Sequence, residues 1–235
     1  MPELDEIYAT NSSTWWNENG PLKLIHVTND IVVPYYLDVI CQRFSKTSPI
    51  NVKLLDVGCG GGLCTEKFGE AGYSVIGIDI NPDLINIAKN HLHSSLRNVS
   101  YYTESIETHA ENNAEKYDVV VINFVIQHLT DHEVFVRNCV ECLKPGGTVL
   151  IGALGKNTGA WLMRKIYIEK MLKLFPPGLY DYNRCINASD LESMLKKYKC
   201  KTQETRGFFY NFLTGKFGWF PSSMGYYVLY AIKKD

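Results

Sequence analysis

The sequence predicts an α/β protein, built on a mainly parallel sheet covered by helices on both faces. Three observations carry that expectation. Apolar runs of strand length alternate with helical patterns from Val52 to Gly155, which is the rhythm of a parallel sheet. The first run (Leu54, Leu55, Val57) carries Asp56 and breaks into Gly58, Gly60, Gly61 and Gly62, and the second (Val75, Ile76, Ile78) ends in Asp79. Parallel strands joined by a helix set both acids and the glycines at one sheet edge, where open α/β folds bind ligands. After Gly155 the alternation stops, and the remaining segments read as a helical insertion and an antiparallel hairpin.

Taken in order, residues 1–50 form an expected N-terminal helical cap segment. They are rich in aromatics, among them Trp15, Trp16, Tyr35 and Tyr36, and Asn19-Gly20-Pro21 is a turn signal. The paired tryptophans either line a substrate pocket or pack as part of an ordinary N-terminal helix. Residues 51–155 form the core, with strands expected at 53–57, 74–79, 99–103, 117–122 and 147–152. Helical patterns lie between them at 62–71, 82–94 and 131–143, with Asn81-Pro82-Asp83 and Thr130-Asp131 as helix starts.

Residues 156–198 form a helical cap insertion. Its first part, 158–175, is apolar around most of its circumference (Trp161, Leu162, Ile166, Met171). Such a helix is either clamped between other elements or lies on an apolar ligand or membrane surface. A peripheral membrane contact through 158–175 is therefore one expectation. A helix near 188–198 follows, and residues 199–235 supply strands near 200–210 and 224–232. An aromatic loop holding Phe212, Phe217, Trp219 and Phe220 joins them.

Composition narrows the partners. With 46% hydrophobic residues in 235 and a formal net charge of -1, the chain buries a real core and has no field to hold a polyanion. Nucleic acid is not an expected partner. Seven scattered cysteines argue against a disulfide framework. Cys139 and Cys142 have redox or zinc spacing, but they sit in a helical pattern with no second pair, so packing is expected. No segment reads as long and apolar enough to span a bilayer, and the acidic start Met-Pro-Glu-Leu-Asp-Glu fits neither a secretory signal nor an Arg-rich mitochondrial presequence. The expected location is cytoplasmic.

The glycine loop has chemical content. It lacks the Gly-Lys-Ser/Thr close of a phosphate-binding P-loop. It fits Gly58 and Gly60 to the dinucleotide fingerprint but has Leu63 where the third glycine belongs. A pyrophosphate avoids a carboxylate at the strand end, whereas Asp56 suits a ligand with a cationic head. S-adenosylmethionine carries an ammonium and a sulfonium there, and Asp79 is placed to accept from ribose hydroxyls. The expected cofactor contacts are Asp56, Gly58, Gly60, Gly62, Asp79, Ile80, Ser105, Ile106 and Asn123. Ser105 and the Ile106 backbone would meet the adenine edge, with Ile80 on its face and an Asn123 carbonyl on the ammonium.

These residues resemble class I S-adenosylmethionine-dependent methyltransferases through Leu-Asp-Val-Gly-Cys-Gly-Gly-Gly, Gly-Ile-Asp and Leu-Lys-Pro-Gly-Gly. Trp15-Trp16, Asn17-x-x-Gly20, the His26-x-x-Asn29 and Glu104-x-x-Glu107-x-His109-Ala110 stretches, and Phe175-Pro176-x-Gly178 resemble the ubiquinone-biosynthesis O-methyltransferases. The resemblance implies a Rossmann-like, seven-stranded sheet with its last strand antiparallel. It also carries Gly58, Asp79 and Asn123 over as cofactor contacts.

Three positions depart from the family pattern. Val32 stands where the family has an arginine reaching the cofactor carboxylate. Phe124, Gln127 and His128 stand where it has two glutamates and a histidine implicated in metal binding. Leu179-Tyr180 replaces Thr-His. A phenylalanine, an amide and an imidazole do not make a magnesium site, so no metal is expected.

His128 is the expected general base for a phenolic acceptor, unless it only bonds nearby backbone at a helix start. Trp15, Trp16, His26, Phe124, Trp161 and Tyr180 are the expected substrate pocket. Three functions stay open: an O-methyltransferase for a small aromatic acceptor, a relative repurposed for another aromatic or amine, and a cofactor-binding protein without transferase activity. A monomer or homodimer is expected.

Overall fold

In the computed structural model, which describes residues 14–163, 165–166, 181–211 and 213–235, one sheet runs through the molecule. Strands β1 (Lys53–Val57), β2 (Ser74–Asp79), β3 (Val99–Thr103), β4 (Tyr117–Asn123) and β5 (Leu143–Leu154) are parallel. Then β6 (Cys200–Asn211), β7 (Lys216–Phe220) and β8 (Tyr226–Lys233) complete it. The order is β3-β2-β1-β4-β5-β8-β6-β7, with β8 antiparallel to both β5 and β6. Strand order reverses between β1 and β4, so a crevice opens above their C-terminal ends.

The strands are buried because they are nearly all apolar. Val119, Val120, Val121 and Ile122 have no exposed surface, as expected for a central strand covered on both faces. On one face lie α1 (Lys23–Arg43), α2 (Leu63–Glu70) and α3 (Pro82–His91). Val32, Tyr36, Phe68 and Ile85 pack there against Leu54, Val119, Val121 and Leu150. On the other lie α4 (Ile106–Asn113), α5 (His132–Glu141) and α7 (Ala188–Lys197), packed through Ala110, Val136, Cys139 and Leu191.

Helix starts follow from local chemistry. The Asn81, Ser105 and Asp131 side chains each accept a backbone N–H at the start of α3, α4 and α5, satisfying donors that the helix leaves open. Helix α4 has no counterpart in the sequence expectation. Its eight residues are mostly polar, with only Ile106, His109 and Ala110 buried, which is too weak a stripe to read.

Two expectations are corrected. The seven-stranded sheet has eight strands among the described residues. The extra strand, β7, lies in the stretch taken for a joining loop. Its alternation puts Phe217 and Trp219 on one side, each meeting the Phe208 ring edge-on at 5.2 and 5.8 Å. A turn at Asn211, whose side chain accepts from Leu213 and Thr214 N–H, brings β7 back along β6.

The second correction concerns membrane-spanning length, because α1 at 21 residues is long and apolar enough by length and composition. It is nonetheless a core helix. Its Val32, Val33, Tyr36 and Ile40 are buried on the sheet, and Pro34 is accommodated inside it.

Cys139 and Cys142 are buried free thiols packed in and just beyond α5. Of the insertion expected at 158–175, the structure shows α6 (Thr158–Met163), with Leu162 and Ile166 exposed. Residue 164 and residues 167–180, including Tyr180, lie outside the described residues, as does Phe212.

Candidate active site at the strand-order switch

The crevice between β1 and β4 holds a cavity of about 560 Å³. Its floor is the glycine turn. Gly58 and Cys59 N–H donate to the Ile78 carbonyl at 2.8 and 3.0 Å, tying the end of β1 to β2. Gly58 has φ +70°, and a Cβ there would lie 2.4 Å from Val125 Cγ2. Gly60 has φ +55°, and its Cβ would meet the Trp15 ring at 2.8 Å. Only glycine fits either place, which is why the turn presents bare backbone to the cavity.

Asp79 fixes the turn from the second strand. Its carboxylate accepts from Gly60 N–H and from Asn81 N–H, each at 2.9 Å, and it lines the cavity. Asp56 is almost fully buried and accepts from Thr65 Oγ1 at 2.6 Å. Burial, helped by the neighbouring Asp79 charge and opposed by the Thr65 hydrogen bond, pushes its pKa up to about 7. An acid in this condition gains from a cationic ligand, which restores the charge that burial suppresses.

Asn123 closes β4. Its Nδ2 donates to Asn29 Oδ1 at 3.0 Å, and its Oδ1 accepts from the Tyr36 hydroxyl at 3.4 Å. Ile80 is 70% exposed yet lines the cavity, leaving an apolar face for a flat ring, and Ile106 lines it beside Glu104. A cluster of carboxylates, an exposed isoleucine and a glycine cradle fit S-adenosylmethionine.

Beyond Asn123 the character changes. Phe124 has φ +58°, a strained position for a non-glycine residue. Gln127 Nε2 donates to its carbonyl, and Gly152 O accepts from its N–H at 2.9 Å. Its ring meets Phe208 and Tyr226 edge-on, both at 6.2 Å. His128, Leu129, Val125 and Phe135 extend this wall. Burial first, and then the Arg184 charge, pulls the His128 pKa down to about 4, so its imidazole is neutral at neutral pH. Among the described residues, no group of three His, Cys, Asp or Glu side chains could hold a metal ion.

The structure brings together Trp15, Asp56, Gly58, Gly60, Asp79, Ile80, Ile106, Asn123, Phe124 and His128 in this one cavity. It places five other expected residues elsewhere. Gly62 starts α2, and Ser105 Oγ caps α4 by accepting from Thr108 N–H at 3.3 Å. Trp16 stacks on His91 at 3.4 Å and donates to Gly61 O at 3.1 Å. His26 bonds the Trp15 carbonyl at 2.8 Å. Both Trp16 and His26 therefore hold Trp15 over the turn rather than line the cavity. Trp161 packs on Tyr182 at 5.6 Å, also off the cavity wall.

Thr28, Asn29, Leu63, Glu107, Arg184 and Tyr226 line it too. Asn29 and Glu107 stood in family-like stretches and were the readable signals. Arg184 and Tyr226 arrive from 56 or more residues downstream of His128, with no motif around them.

Comparisons with known proteins agree with this geometry. A family model described as a methyltransferase domain matches residues 55–151. The chain is 34% identical over 206 residues to the ubiquinone biosynthesis O-methyltransferase of Serratia proteamaculans, covering 88% of this chain and 83% of that one. It is 33% identical over 228 residues to the human mitochondrial enzyme of the same name, covering 93% of this chain and 61% of the human one. Among solved structures, the magnesium protoporphyrin IX methyltransferase of Synechocystis, bound to SAH, superposes with TM-score 0.68 at 16% identity, covering 98% and 97% of the two chains. That likeness supports the fold. The chain belongs to the ubiquinone biosynthesis O-methyltransferase family, and S-adenosylmethionine is its cofactor.

Proposed function

We propose that the chain methylates a hydroxyl oxygen of a small aromatic acceptor seated between Phe124, Tyr226 and His128. The observation that carries this reading is the two-part cavity: an acidic half over the glycine turn runs directly into an aromatic half holding a neutral histidine. Related enzymes are named for ubiquinone biosynthesis, so a quinol or catechol ring is the favoured acceptor. The chain spans 61% of the human relative's length.

The bound cofactor supplies an electrophilic methyl group on sulfur. The chain supplies alignment and a dry wall, worth several powers of ten when the reacting atoms are held in line. Asp56, through its carboxylate, attracts the cationic head, with Asn123 and Asn29 beside it. Asp79 holds the ribose and the turn together, and Ile80 and Ile106 flank the base. His128 accepts the acceptor's proton as general base. With a pKa near 4 it is a weak base for a phenol of pKa about 10, so it needs help from a group that acidifies the acceptor.

A second reading is favoured by one observation. Phe124 and Gln127 occupy positions where the family resemblance implies carboxylates, which also suits a relative serving another aromatic or amine. We also infer a reducing compartment such as the cytoplasm, since no disulfide links cysteines among the described residues. Isothermal titration with S-adenosylhomocysteine, then labelled methyl transfer onto quinols, catechols and amines, tests the reading. Transfer only to amines overturns O-methylation, and binding with no transfer to any acceptor overturns the enzyme.

A further inference from the structure

Arg184 is the one lysine or arginine on the cavity wall among the described residues. Every other charged lining group is an acid: Asp56, Asp79, Glu104 and Glu107. These acids lie at the ends of β1, β2 and β3 or in α4, on the side assigned to the cofactor. Arg184 enters beside His128, on the short helical turn Tyr182–Arg184.

Its Nη1 donates to the His128 carbonyl at 2.9 Å, and its Nε lies 3.8 Å from Asp181 Oδ2. These contacts fix the guanidinium beside the aromatic half without spending its whole fork. Nη2 has no hydrogen-bond partner among the described residues. The other titratable neighbours are His128 after β4, His132 at the start of α5, Asp181 on its own turn, and Lys156, whose Nζ donates to the Asn183 carbonyl at 3.5 Å and lies over the Tyr182 ring at 5.8 Å. Both histidines are pulled below their ordinary value, and Lys156 does not line the cavity, so Arg184 is the cation that faces the acceptor space.

We propose that Arg184 is the anion-binding residue of the acceptor site, selecting an aromatic acceptor that presents an anionic oxygen to it. This rests on the O-methyltransferase reading above. The anionic oxygen has two possible sources, the reacting phenolate itself or a ring carboxylate beside it. In the first case Arg184 takes over the task of acidifying the hydroxyl that a bound divalent ion performs elsewhere. The acceptor O–H gives its proton to His128, the oxygen forms a bond to the methyl carbon, and the carbon–sulfur bond breaks with its electron pair left on sulfur. Charge is conserved: a cationic sulfonium is consumed and a cationic imidazolium is formed. In the second case Arg184 anchors the ring and the hydroxyl ionises without it.

The test measures methyl transfer by the full chain and its Arg184→Gln and Arg184→Lys variants. The acceptors are catechol, 3,4-dihydroxybenzoate and the methyl ester of that acid. Arg184→Gln should lower kcat/KM at least tenfold, with Arg184→Lys recovering part of the loss and S-adenosylhomocysteine affinity unchanged. Loss on all three acceptors, in kcat and with the acid limb of the pH profile moved upward, identifies the phenolate. Loss confined to the acid and seen in KM identifies the carboxylate.

Arg184→Gln activity within twofold of wild type on every acceptor overturns the proposal while leaving the O-methyltransferase reading intact. Cofactor binding by the wild type with transfer to none of the aromatic acceptors overturns both. Should Arg184→Gln fail to fold, the wild type decides: benzoate competing with the acceptor where benzyl alcohol does not supports the cation, and equal competition overturns it.

Discussion

The two halves of the cavity are built by opposite means. The cofactor half is held by backbone and short polar side chains: Gly58 and Cys59 on Ile78, Asp79 on Gly60 and Asn81, and Thr65 on Asp56. All of these lie within 26 residues of sequence, between Asp56 and Asn81. The acceptor half is assembled from the end of β4, the turn before α7, β6 and β8, and is held by ring edges around Phe124, Phe208 and Tyr226. The first half tolerates almost no change of backbone, because added atoms collide. The second is set by side chains that can be exchanged one at a time, and that is where acceptor choice can drift within a fixed fold.

The sharpest break in this comparison is a side chain in the cradle. Gly58→Ala places a Cβ 2.4 Å from Val125 at a φ of +70°, so the turn must move. We expect S-adenosylhomocysteine affinity to fall by more than about a hundredfold in calorimetry, the scale of losing several charge-assisted contacts. Retained affinity would show that the turn is pliant.

Next comes pH. Asp56 in the ligand-free chain has its pKa raised to about 7, and a cationic ligand binds its ionised form. Cofactor affinity should therefore fall about tenfold per pH unit as pH drops below 7, approaching a hundredfold at pH 5. Stability of the ligand-free chain runs the other way. A carboxyl with a raised folded pKa contributes most below its ordinary value near 4, and that contribution is lost as pH rises toward 7. Asp56→Asn should flatten both curves, and an unchanged affinity profile would remove Asp56 from the cofactor's head.

On the acceptor side the expected effect is smaller. His128→Ala should lower turnover about tenfold or more, with cofactor affinity unaltered, because general-base assistance is worth about 10²–10⁴ at best and this imidazole is a weak base. A change below threefold in single-turnover rates would move the base elsewhere.

The same division explains what could be read from the chain. The strands of the parallel core, Asp56, Gly58, Asp79 and the caps at Asn81 and Asp131 were legible because each signal is local: an apolar run, a glycine that must turn, a side chain that must cap. Arg184 and Tyr226 were not, since nothing near them in sequence marks a cavity that forms only when distant strands pair. β7 was hidden for a related reason. Phe217, Gly218, Trp219 and Phe220 read as an aromatic loop, and only the presence of Phe208 across from them turns alternation into strand pairing. Trp16 and His26 illustrate a subtler failure. The stretch was correctly marked, but the residues that touch Trp15 and those that touch the cavity differ.

Ser105 gives the smallest effect and the cleanest boundary between fold and site. It sits one residue from Ile106, which lines the cavity, but its own hydroxyl accepts from Thr108 N–H at the start of α4. A capping serine replaced by alanine costs about 1 kcal/mol, because one helix donor is left to water. If that is all Ser105 does, Ser105→Ala should lower the unfolding free energy by that amount and leave S-adenosylhomocysteine affinity within twofold. A tenfold loss of affinity with unchanged stability would put the hydroxyl on the adenine edge, and α4 would then belong to the binding half as well as to the scaffold.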